Sequence, residues 1–342
     1  MEEIKKLIIN DTHFGVKNNS INFLNSQMLL FDALYEYIET CEENRIDLIH
    51  LGDIFESRSS VSIYILSQVR DLLQRLDSIL KKRNPENRFI FVAGNHDFYS
   101  PTSDTVNTLD TVIKDFLPDA VIVSRECWID GDDIYIPWYW MNDPEKFASL
   151  DLNPYHRIFT HCDCRDFQFN KIPVNTAVYS GHIHQYKEYA NALSSNHGSR
   201  LYNLSAQYSL DYGDSNDDKK GFWELDGYDL KLHQNNSSIK FRTFYNEQIF
   251  DIPDLDESIS RRDNFRIYLT SENRSKLEYI NKVNEICAGI KYIDVLIIDE
   301  NYINESSSVC INNLSISDMI SDMIPEHLKE NFNIIVKSIN ES

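Results

Sequence analysis

Apolar and polar positions form a repeating pattern over the first 180 residues. Five short apolar stretches of strand length run directly into polar residues, and they are KLIIN (6–10), DLIHL (47–51), RFIFVA (88–93), RIFT (157–160) and AVYS (177–180). Apolar residues at helical spacing fill residues 23–41 and 62–80, between the first three stretches. Strands that alternate with helices of this length predict an α/β fold with a largely parallel sheet.

The pattern changes after residue 185. RLYNLS (200–205), GFWELDGYDLKLH (221–233) and IKFRTFY (239–245) have the composition of antiparallel strands, and Asp226-Gly227 is a favourable hairpin turn. We expect these segments to form a second sheet packed on the first. The fold class predicted is thus a two-sheet α/β sandwich of mixed sheets flanked by helices.

The C-terminal part of the chain predicts two further modules. FDIPDLDES (250–258) has the composition of a linker, and residues 265–299 predict a small β-α-β unit. After a polar spacer at 300–309, apolar residues at helical spacing continue to Ile339, with Pro325 separating two helices. We predict a main domain over 1–248, a capping domain over 249–300, and a linker with a helical tail over 301–342.

The charge balance restricts the classes of function. The sequence has 54 acidic and 33 basic residues and a net charge of −21, which argues against a free-standing nucleic-acid binder. An enzyme that acts on phosphates through bound cations stays open, because a divalent ion reverses the local field.

Cysteine usage and the N-terminus bear on the cellular compartment. The six cysteines are scattered without a C-x-x-C pair, which is typical of reduced thiols in the cytoplasm. MEEIKKLIIN is neither a secretory signal nor an anchor, and no segment approaches the roughly 18 apolar residues of a membrane span. We expect a cytoplasmic protein without membrane association.

Polar side chains follow each of the five predicted strands. The sequence places DTH at 11–13, GD at 52–53, GNHD at 94–97, TH at 160–161 and GHIH at 181–184. In open α/β sheets ligands bind at the carboxyl ends of the strands, so we expect these groups to converge. Asp, Asn and His without thiolates suit divalent Mn, Fe or Zn. One bridging carboxylate would allow two ions, with the two histidines of GHIH binding different ions.

These five motifs, in this order, resemble those of the calcineurin-like metallophosphoesterase superfamily. The resemblance implies a first ion held by Asp11, His13, Asp53 and His184. It implies a second ion that shares Asp53 and is completed by Asn95, His161 and His182. It further implies that His96, oriented by Asp97, faces the phosphate and either protonates the leaving oxygen or stabilises the developing charge.

Within the superfamily, DTHFG (11–15), GDIFE (52–56) and AQYSLDYGD with KKGFWELD (206–226) resemble the SbcD family of DNA-repair nucleases, and most closely its compact tailed-phage form. That resemblance implies Mn²⁺-dependent 3′→5′ exonuclease action on duplex ends and endonuclease action on single strands. Mg²⁺, Fe²⁺ and Zn²⁺ are the alternatives for the two ions. Glu56 departs from relatives that have a second catalytic histidine three residues after the bridging Asp.

The partners implied by this resemblance are DNA, an SbcC-like coiled-coil ATPase of the ABC type and a second copy of the chain. The homodimer would pair through the helices at 23–41 or 62–80. We expect the ATPase to bind the apolar stripe of the tail. Its predicted contact residues are Ile316, Met319, Ile320, Met323, Leu328 and Phe332.

Two other functions remain open from the residues alone. One is a small-molecule phosphodiesterase or nucleotidase with the same metal centre, and the other is a regulatory scaffold with a vestigial centre. Outside the motifs we expect His50 to be packed, and His156, His197, His233 and His327 to lie on the surface. We expect packing roles for Cys162, Cys164 and Trp138–Trp140, and a solvated loop for the acidic run at 211–218.

Overall fold

A computed structural model of the chain describes residues 4–163, 172–190, 198–214, 217–236, 239–252, 264–289 and 292–298. These residues divide into two compact units, a larger one up to Thr243 and a smaller one that contains residues 244–252, 267–289 and 293–298. The tail at 301–342 lies outside the described residues, as do Cys164, His197 and His327. The six predicted ATPase contacts therefore stay a prediction: Ile316, Met319, Ile320, Met323, Leu328 and Phe332.

The strands of the larger unit follow one another along the chain as β1 (Lys5–Ile9), β2 (Ile46–His50), β3 (Arg88–Val92), β4 (Phe98–Ser100), β5 (Ser103–Asn107), β6 (Val121–Val123), β7 (Trp128–Asp130), β8 (Asp133–Ile136), β9 (Arg157–His161), β10 (Ala177–Gly181), β11 (Lys187–Ala190), β12 (Arg200–Asn203), β13 (Gly221–Asp226) and β14 (Asp229–Gln234). Its helices are α1 (Ile21–Thr40), α2 (Ile63–Arg83), α3 (Lys114–Phe116), α4 (Trp138–Asn142) and α5 (Pro144–Ser149). Shorter helical turns are a partly left-handed one at Val16–Asn19, a π-helical one at Leu109–Ile113 and a 3₁₀ turn at Tyr212–Asp214.

Two six-stranded mixed sheets form the larger unit. The first has the order β14-β13-β1-β2-β3-β6, and the second has the order β11-β12-β10-β9-β8-β7. Strands β1, β2, β3 and β6 are parallel, and so are β8, β9, β10 and β12. The predicted class of mixed α/β sheets flanked by helices is confirmed.

Alternate residues of the central strands pack on opposite faces, which explains their continuous apolar character. Ile8 and Ile49 of the first sheet share a buried cluster with Phe159 and Tyr179 of the second. The other face of the first sheet packs on α1 and α2, and that of the second sheet packs on Phe147 of α5. The layers are therefore helix, sheet, sheet and helix.

The two long helices begin where the sequence pattern places them. The Ser20 and Ser62 side chains accept hydrogen bonds from Phe23 N and Ile65 N and so cap α1 and α2. Each helix buries one apolar face, as Leu34 and Leu76 illustrate. The Trp138–Trp140 segment is half-buried against the two helix-covered cores, as predicted.

The assignment of strands to sheets differs from the prediction in three ways. The five motif-bearing strands do not share one sheet, since β9 and β10 belong to the second. The strand at 200–203 is parallel to β10 and antiparallel only to β11. The hairpin β13–β14, which has the predicted Asp226-Gly227 turn, pairs with β1 in the first sheet. Periodicity identifies strands but does not encode their neighbours, which long-range packing selects.

A separate three-stranded sheet has the order β15-β16-β17, with β15 at Phe241–Tyr245, β16 at Asn264–Thr270 and β17 at Tyr292–Ile298. Helices α6 (Ser271–Ser275) and α7 (Leu277–Gly289) lie between β16 and β17 along the chain, and a 3₁₀ turn covers Asn246–Asp251. The predicted β-α-β unit is therefore present. However, the IKFRTFY strand joins this sheet instead of the second large one.

In the part of the chain that the structure describes, no helix has the length and apolar character needed to cross a bilayer. Cys41 and Cys127 are free thiols.

The buried charged residues of the large sheets are paired. Lys6 of β1 lies 3.0 Å from Asp133 Oδ2 of β8, with both side chains 2% exposed, and this ion pair joins the two large sheets. Near the edge of the first sheet, Glu224 accepts hydrogen bonds from Lys5 Nζ at 2.7 Å and from Tyr37 Oη at 2.8 Å. Isolated buried charges would be costly, so these pairs constrain the register of the strands.

His233 also contacts Glu224 through Nε2 and stacks on Phe222 with ring centroids 4.6 Å apart. It is half-buried, so the expectation of a surface position was wrong, because the β13–β14 hairpin turns its ring onto the sheet. His50 is buried and bound to Thr12, and His156 is exposed; both agree with the prediction.

We expect Glu224→Gln to reduce the free energy of unfolding by about 2 kcal/mol at neutral pH, since Lys5 would lose a buried charged partner. Burial alone would raise the pKa of Glu224, but Lys5, His233 and Tyr37 outweigh it and lower the pKa from 4.5 to about 2. The carboxylate therefore stabilises the fold fully above pH 4.5, and this stabilisation is lost as the pH falls towards 2.

The difference between wild type and variant in urea unfolding, followed by circular dichroism, should accordingly shrink over this pH range. Glu36→Gln, at an exposed position of α1, is the matched control and should stay within about 0.5 kcal/mol of wild type. A difference that is constant from pH 7 to pH 2 would contradict the assignment.

Candidate metal centre

The carboxyl ends of five strands, three from the first sheet and two from the second, meet at one edge of the sandwich. Asp11 and His13 follow β1, Asp53 follows β2, and Asn95 and His96 follow β3. His161 is the last residue of β9, while His182 and His184 follow β10. The structure thus brings together all eight side chains predicted to bind metal or phosphate: Asp11, His13, Asp53, Asn95, His96, His161, His182 and His184.

The centre is buried on one side and open on the other. Asp11, His13, Asp53 and His161 are at most 3% exposed. Asn95, His96, His182 and His184 are half-buried. A substrate would therefore approach from the side of these four residues.

The backbone at the centre is held in an uncommon conformation. Asp11, His13, Asp53 and His182 have positive φ angles of 48°, 41°, 58° and 82°. Such angles cost energy for residues with a Cβ and tend to occur at functional sites. Hydrogen bonds from Asp11 N to Gly52 O and from His13 N to Asp53 O, both 3.0 Å, hold the first two loops together.

Asp11, His13 and His184 form a first group of ligand atoms. His13 Nε2 lies 4.0 Å from Asp11 Oδ1, and His184 Nε2 lies 3.9 Å from the same oxygen. The backbone N–H of His182 donates to both carboxylate oxygens of Asp11, at 3.1 and 3.0 Å, and fixes its orientation.

Asp53, His161 and His182 form a second group, with Asn95 between the two histidines. Asn95 Oδ1 lies 3.0 Å from His161 Nε2 and 2.8 Å from His182 Nδ1. His161 Nδ1 is 2.6 Å from Leu51 O. Since a carbonyl oxygen only accepts, Nδ1 carries the proton and Nε2 presents its lone pair to the centre.

The Asp53 carboxylate connects the two groups. Its Oδ2 atom lies 3.6 Å from His13 Nε2 and 3.3 Å from His161 Nε2, while Oδ1 accepts the His96 N–H at 2.7 Å. One oxygen therefore faces histidines of both groups, the position that a bridging ligand requires.

The donor set fits divalent cations. His13 Nε2 is buried and has no hydrogen-bond partner, and its 3.6–4.0 Å separations from the carboxylate oxygens are too long for hydrogen bonds. Ligand atoms about 2.0–2.2 Å from a shared ion would have separations close to these. Three ligand triads, Asp11–His13–His184, His13–Asp53–His96 and Asp53–His161–His182, each have donor atoms within 4.8 Å of one another.

The electrostatics of the second group favour positive charge. Burial lowers the pKa of His161, but the Asp53 and Asp11 carboxylates outweigh it and raise the pKa to about 9. The pKa of Asp53 is correspondingly lowered despite its burial, chiefly by His161. The cluster therefore attracts a cation, a role that a bound metal ion fulfils in place of a proton.

Glycines allow the loops to approach the centre closely. A Cβ on Gly181 would lie 2.7 Å from Leu51 O and 3.0 Å from both Asp11 Oδ2 and His161 Nδ1. Gly52 has a φ of +84°, and its Cβ would lie 2.6 Å from His161 Nδ1. The glycine in GHIH is thus required for close packing of the two sheets beside the ligands.

Asp97 was predicted to orient His96, but its carboxylate binds other groups. Its carboxylate accepts backbone N–H bonds from Asp53 (2.9 Å), Gly94 (2.8 Å) and Ile54 (3.1 Å), joining the loops after β2 and β3. His96 is instead oriented by the Glu56 carbonyl oxygen, 2.6 Å from Nδ1. Burial and the nearby Asp53 raise the pKa of Asp97 to about 6. Although Asp97 is next to His96 in the sequence, its carboxylate binds backbone N–H groups, and the imidazole of His96 contacts a carbonyl oxygen of another loop.

Glu56 approaches His13 from the far side of its ring. Its Oε2 atom lies 2.8 Å from His13 Nδ1, at ion-pair distance but outside hydrogen-bond geometry. Contact with His13 lowers the pKa of Glu56. A carboxylate therefore lies behind a candidate metal ligand.

Two further residues near His184 were missed by the sequence reasoning. Lys220 is buried and donates to the His184 carbonyl oxygen at 2.5 Å, and it pairs with Asp214 at 3.5 Å. Asp214 is 3% exposed, so the prediction that the run at 211–218 is a solvated loop was wrong for this position. The one signal in the sequence was Lys220, a basic residue close to this acidic run. Only the folded chain shows that Asp214 is its partner.

We expect Gly181→Ala to weaken divalent-metal binding strongly, with Mn²⁺ as the probe, because the added methyl group would displace Leu51 O or the Asp11 carboxylate. Isothermal titration calorimetry of the purified protein measures the binding, and circular dichroism verifies that the fold is retained. Gly131→Ala is the control, since no atom lies within 4 Å of the Cβ position of this glycine. Unchanged stoichiometry and affinity in Gly181→Ala would contradict the geometry.

Comparison with known proteins agrees with this centre. No curated protein has significant sequence similarity to the chain. The sequence profile described as calcineurin-like phosphoesterase matches residues 4–289, which includes every residue of the centre. Members of this family are metal-dependent phosphoesterases. The chain therefore belongs to the calcineurin-like phosphoesterase family.

Proposed function

We propose that the protein is a two-metal nuclease that hydrolyses the phosphodiester bonds of DNA. The observation that supports it most is the pair of ligand groups joined by the Asp53 carboxylate, because two neighbouring cations suit displacement at phosphorus. Asp11, His13, Asp53 and His184 would hold the first ion. The residues that would hold the second are Asp53, Asn95, His161 and His182.

Bound divalent ions supply positive charge for the phosphoryl oxygens and lower the pKa of water to near neutrality. The chain supplies the proton transfer. His96 donates through Nδ1 to Glu56 O, which leaves Nε2 as the nitrogen available to the substrate. A proton on Nε2 would bind a phosphoryl oxygen from the open side of the centre and could pass to the leaving oxygen.

The DNA substrate is supported by the segment that resembles SbcD nucleases. This segment lies directly behind the ligand loops, where Tyr208 donates to Thr12 O, Gln207 donates to Asn10 and Lys220 holds His184. The residues that carry this resemblance therefore hold the ligand loops in place.

In this proposal Mn²⁺ is the preferred ion, and cleavage is 3′→5′ on duplex ends and endonucleolytic on single strands. The protein acts in the cytoplasm, or in that of the host if phage-encoded, as a homodimer within an SbcCD-like repair and recombination complex. The coiled-coil ATPase binds the tail at 301–342 and supplies basic surface that a chain of net charge −21 lacks.

A small-molecule phosphodiesterase or nucleotidase would use the same ligands and is the competing function. Purified protein with Mn²⁺ should cleave linear duplex and single-stranded DNA in preference to cyclic nucleotides. Addition of the candidate ATPase and ATP should stimulate cleavage of duplex ends. Hydrolysis of cyclic nucleotides without any DNA cleavage would overturn the nuclease in favour of the alternative.

We expect Asn95→Ala and His182→Ala each to reduce Mn²⁺-dependent DNA cleavage by at least about 100-fold, since each removes a ligand of the second group. Metal content measured by mass spectrometry should fall from two ions per chain towards one, while the melting temperature of the metal-free protein stays within a few degrees of wild type. His156→Ala, on the exposed side chain, is the control and should be fully active. Full activity in either ligand variant would refute the assignment.

A further inference from the structure

A cavity of about 290 Å³ lies beside the loop that carries His96. One wall is the segment Ser57–Val61, which follows Glu56, and another is the β4–β5 hairpin, which follows Asp97. Asp97 itself lines the cavity. The volume is at the lower end of the roughly 300–1,000 Å³ typical of small-molecule sites.

The hairpin presents exposed apolar side chains at this cavity. Tyr99 is 63% exposed and Val106 is 51% exposed, and both line it. Beneath them Phe98 is fully buried, with its ring 5.9 Å from those of Trp138 and Tyr139. The hairpin also joins the catalytic loop through the hydrogen bond from Thr108 N to Asp97 O, 2.7 Å. An exposed aromatic ring therefore stands beside a buried one, on a hairpin that follows the loop with His96.

The opposite wall carries positive charge and hydroxyl groups. Arg58 makes one long hydrogen bond, 3.5 Å to Phe98 O, and no carboxylate of the described residues pairs with its guanidinium. Ser57, Ser59 and Ser60 lie around it. An unpaired arginine in a chain of net charge −21 favours an anionic occupant, and its planar head suits phosphate or a stacked base.

A second cavity of about 300 Å³ adjoins the first, since both are lined by Ser57 and Ser60. Its other walls include Lys17, Asn18 and Glu56. Lys17 is exposed and lies over the Phe241 ring. Glu56, whose carbonyl oxygen contacts His96, lines the second cavity. Each cavity has one cation among its lining residues, Arg58 in the first and Lys17 in the second.

We propose that the first cavity holds the base of a nucleotide close to the scissile phosphate of single-stranded DNA, with Tyr99 stacked on the base and Arg58 on a neighbouring phosphate. Aromatic stacking binds every base, so the site would read the presence of a base and not its identity. This inference rests on the proposed nuclease function and adds the residues that bind the strand.

Binding of a labelled single-stranded oligonucleotide, followed by fluorescence polarisation with Ca²⁺ in place of Mn²⁺, tests the proposal. Tyr99→Ala and Arg58→Ala should each weaken binding roughly tenfold. With Mn²⁺, both variants should hydrolyse methyl 4-nitrophenyl phosphate at the wild-type rate, because this small diester needs only the metal centre. Tyr64→Ala and Arg70→Ala are matched controls, since Tyr64 is 50% exposed and Arg70 pairs with Asp71, and neither lines the cavity.

A series of oligonucleotides with one abasic site at each position provides the second arm. Wild type should lose roughly tenfold in affinity at one position, and Tyr99→Ala should be insensitive at that same position. Wild-type affinity in both variants, an equal loss of small-diester hydrolysis, or no abasic effect would overturn the proposal. DNA binding that depends on Tyr99 without any DNA cleavage would instead refute the nuclease function and leave the base site standing.

Discussion

The Asp53 carboxylate is the group on which the candidate centre depends. It is 2% exposed and far from bulk water, so its charge must be compensated within the protein. One oxygen accepts the His96 N–H, and the other faces His13 and His161. A carboxylate in this position would bridge two cations, and both ligand groups lie around it.

Placing Asp53 there requires the packing of the two large sheets. Their shared apolar layer, with Ile49 on one side and Phe159 on the other, aligns the ends of β2 and β9. Gly52 and Gly181 remove the side chains that would keep these ends apart. Asp97 then holds the loops after β2 and β3 through three backbone hydrogen bonds. The apolar core, the glycines and one buried carboxylate together offset the strain of the positive φ angles.

The surroundings of the centre link the metal chemistry to substrate binding. Glu56 contacts His13 with its carboxylate and His96 with its carbonyl oxygen, and the next residues line both cavities. A DNA strand bound in these cavities would therefore touch the segment that contacts His96, the proposed proton donor. The same loop would position both the reacting group and its substrate.

The sequence by itself determined the five strands that carry the candidate ligands, the two long helices and the ligands themselves. These are local properties, since apolar runs, serine caps and polar residues at strand ends are all visible in short windows. Only the tertiary structure decided that β9 and β10 form a separate sheet, that Asp97 binds backbone and not His96, and that Asp214 and Lys220 are buried behind His184. These outcomes depend on contacts between residues distant in the chain, and the packing of two sheets selects such contacts in a way that no local pattern records.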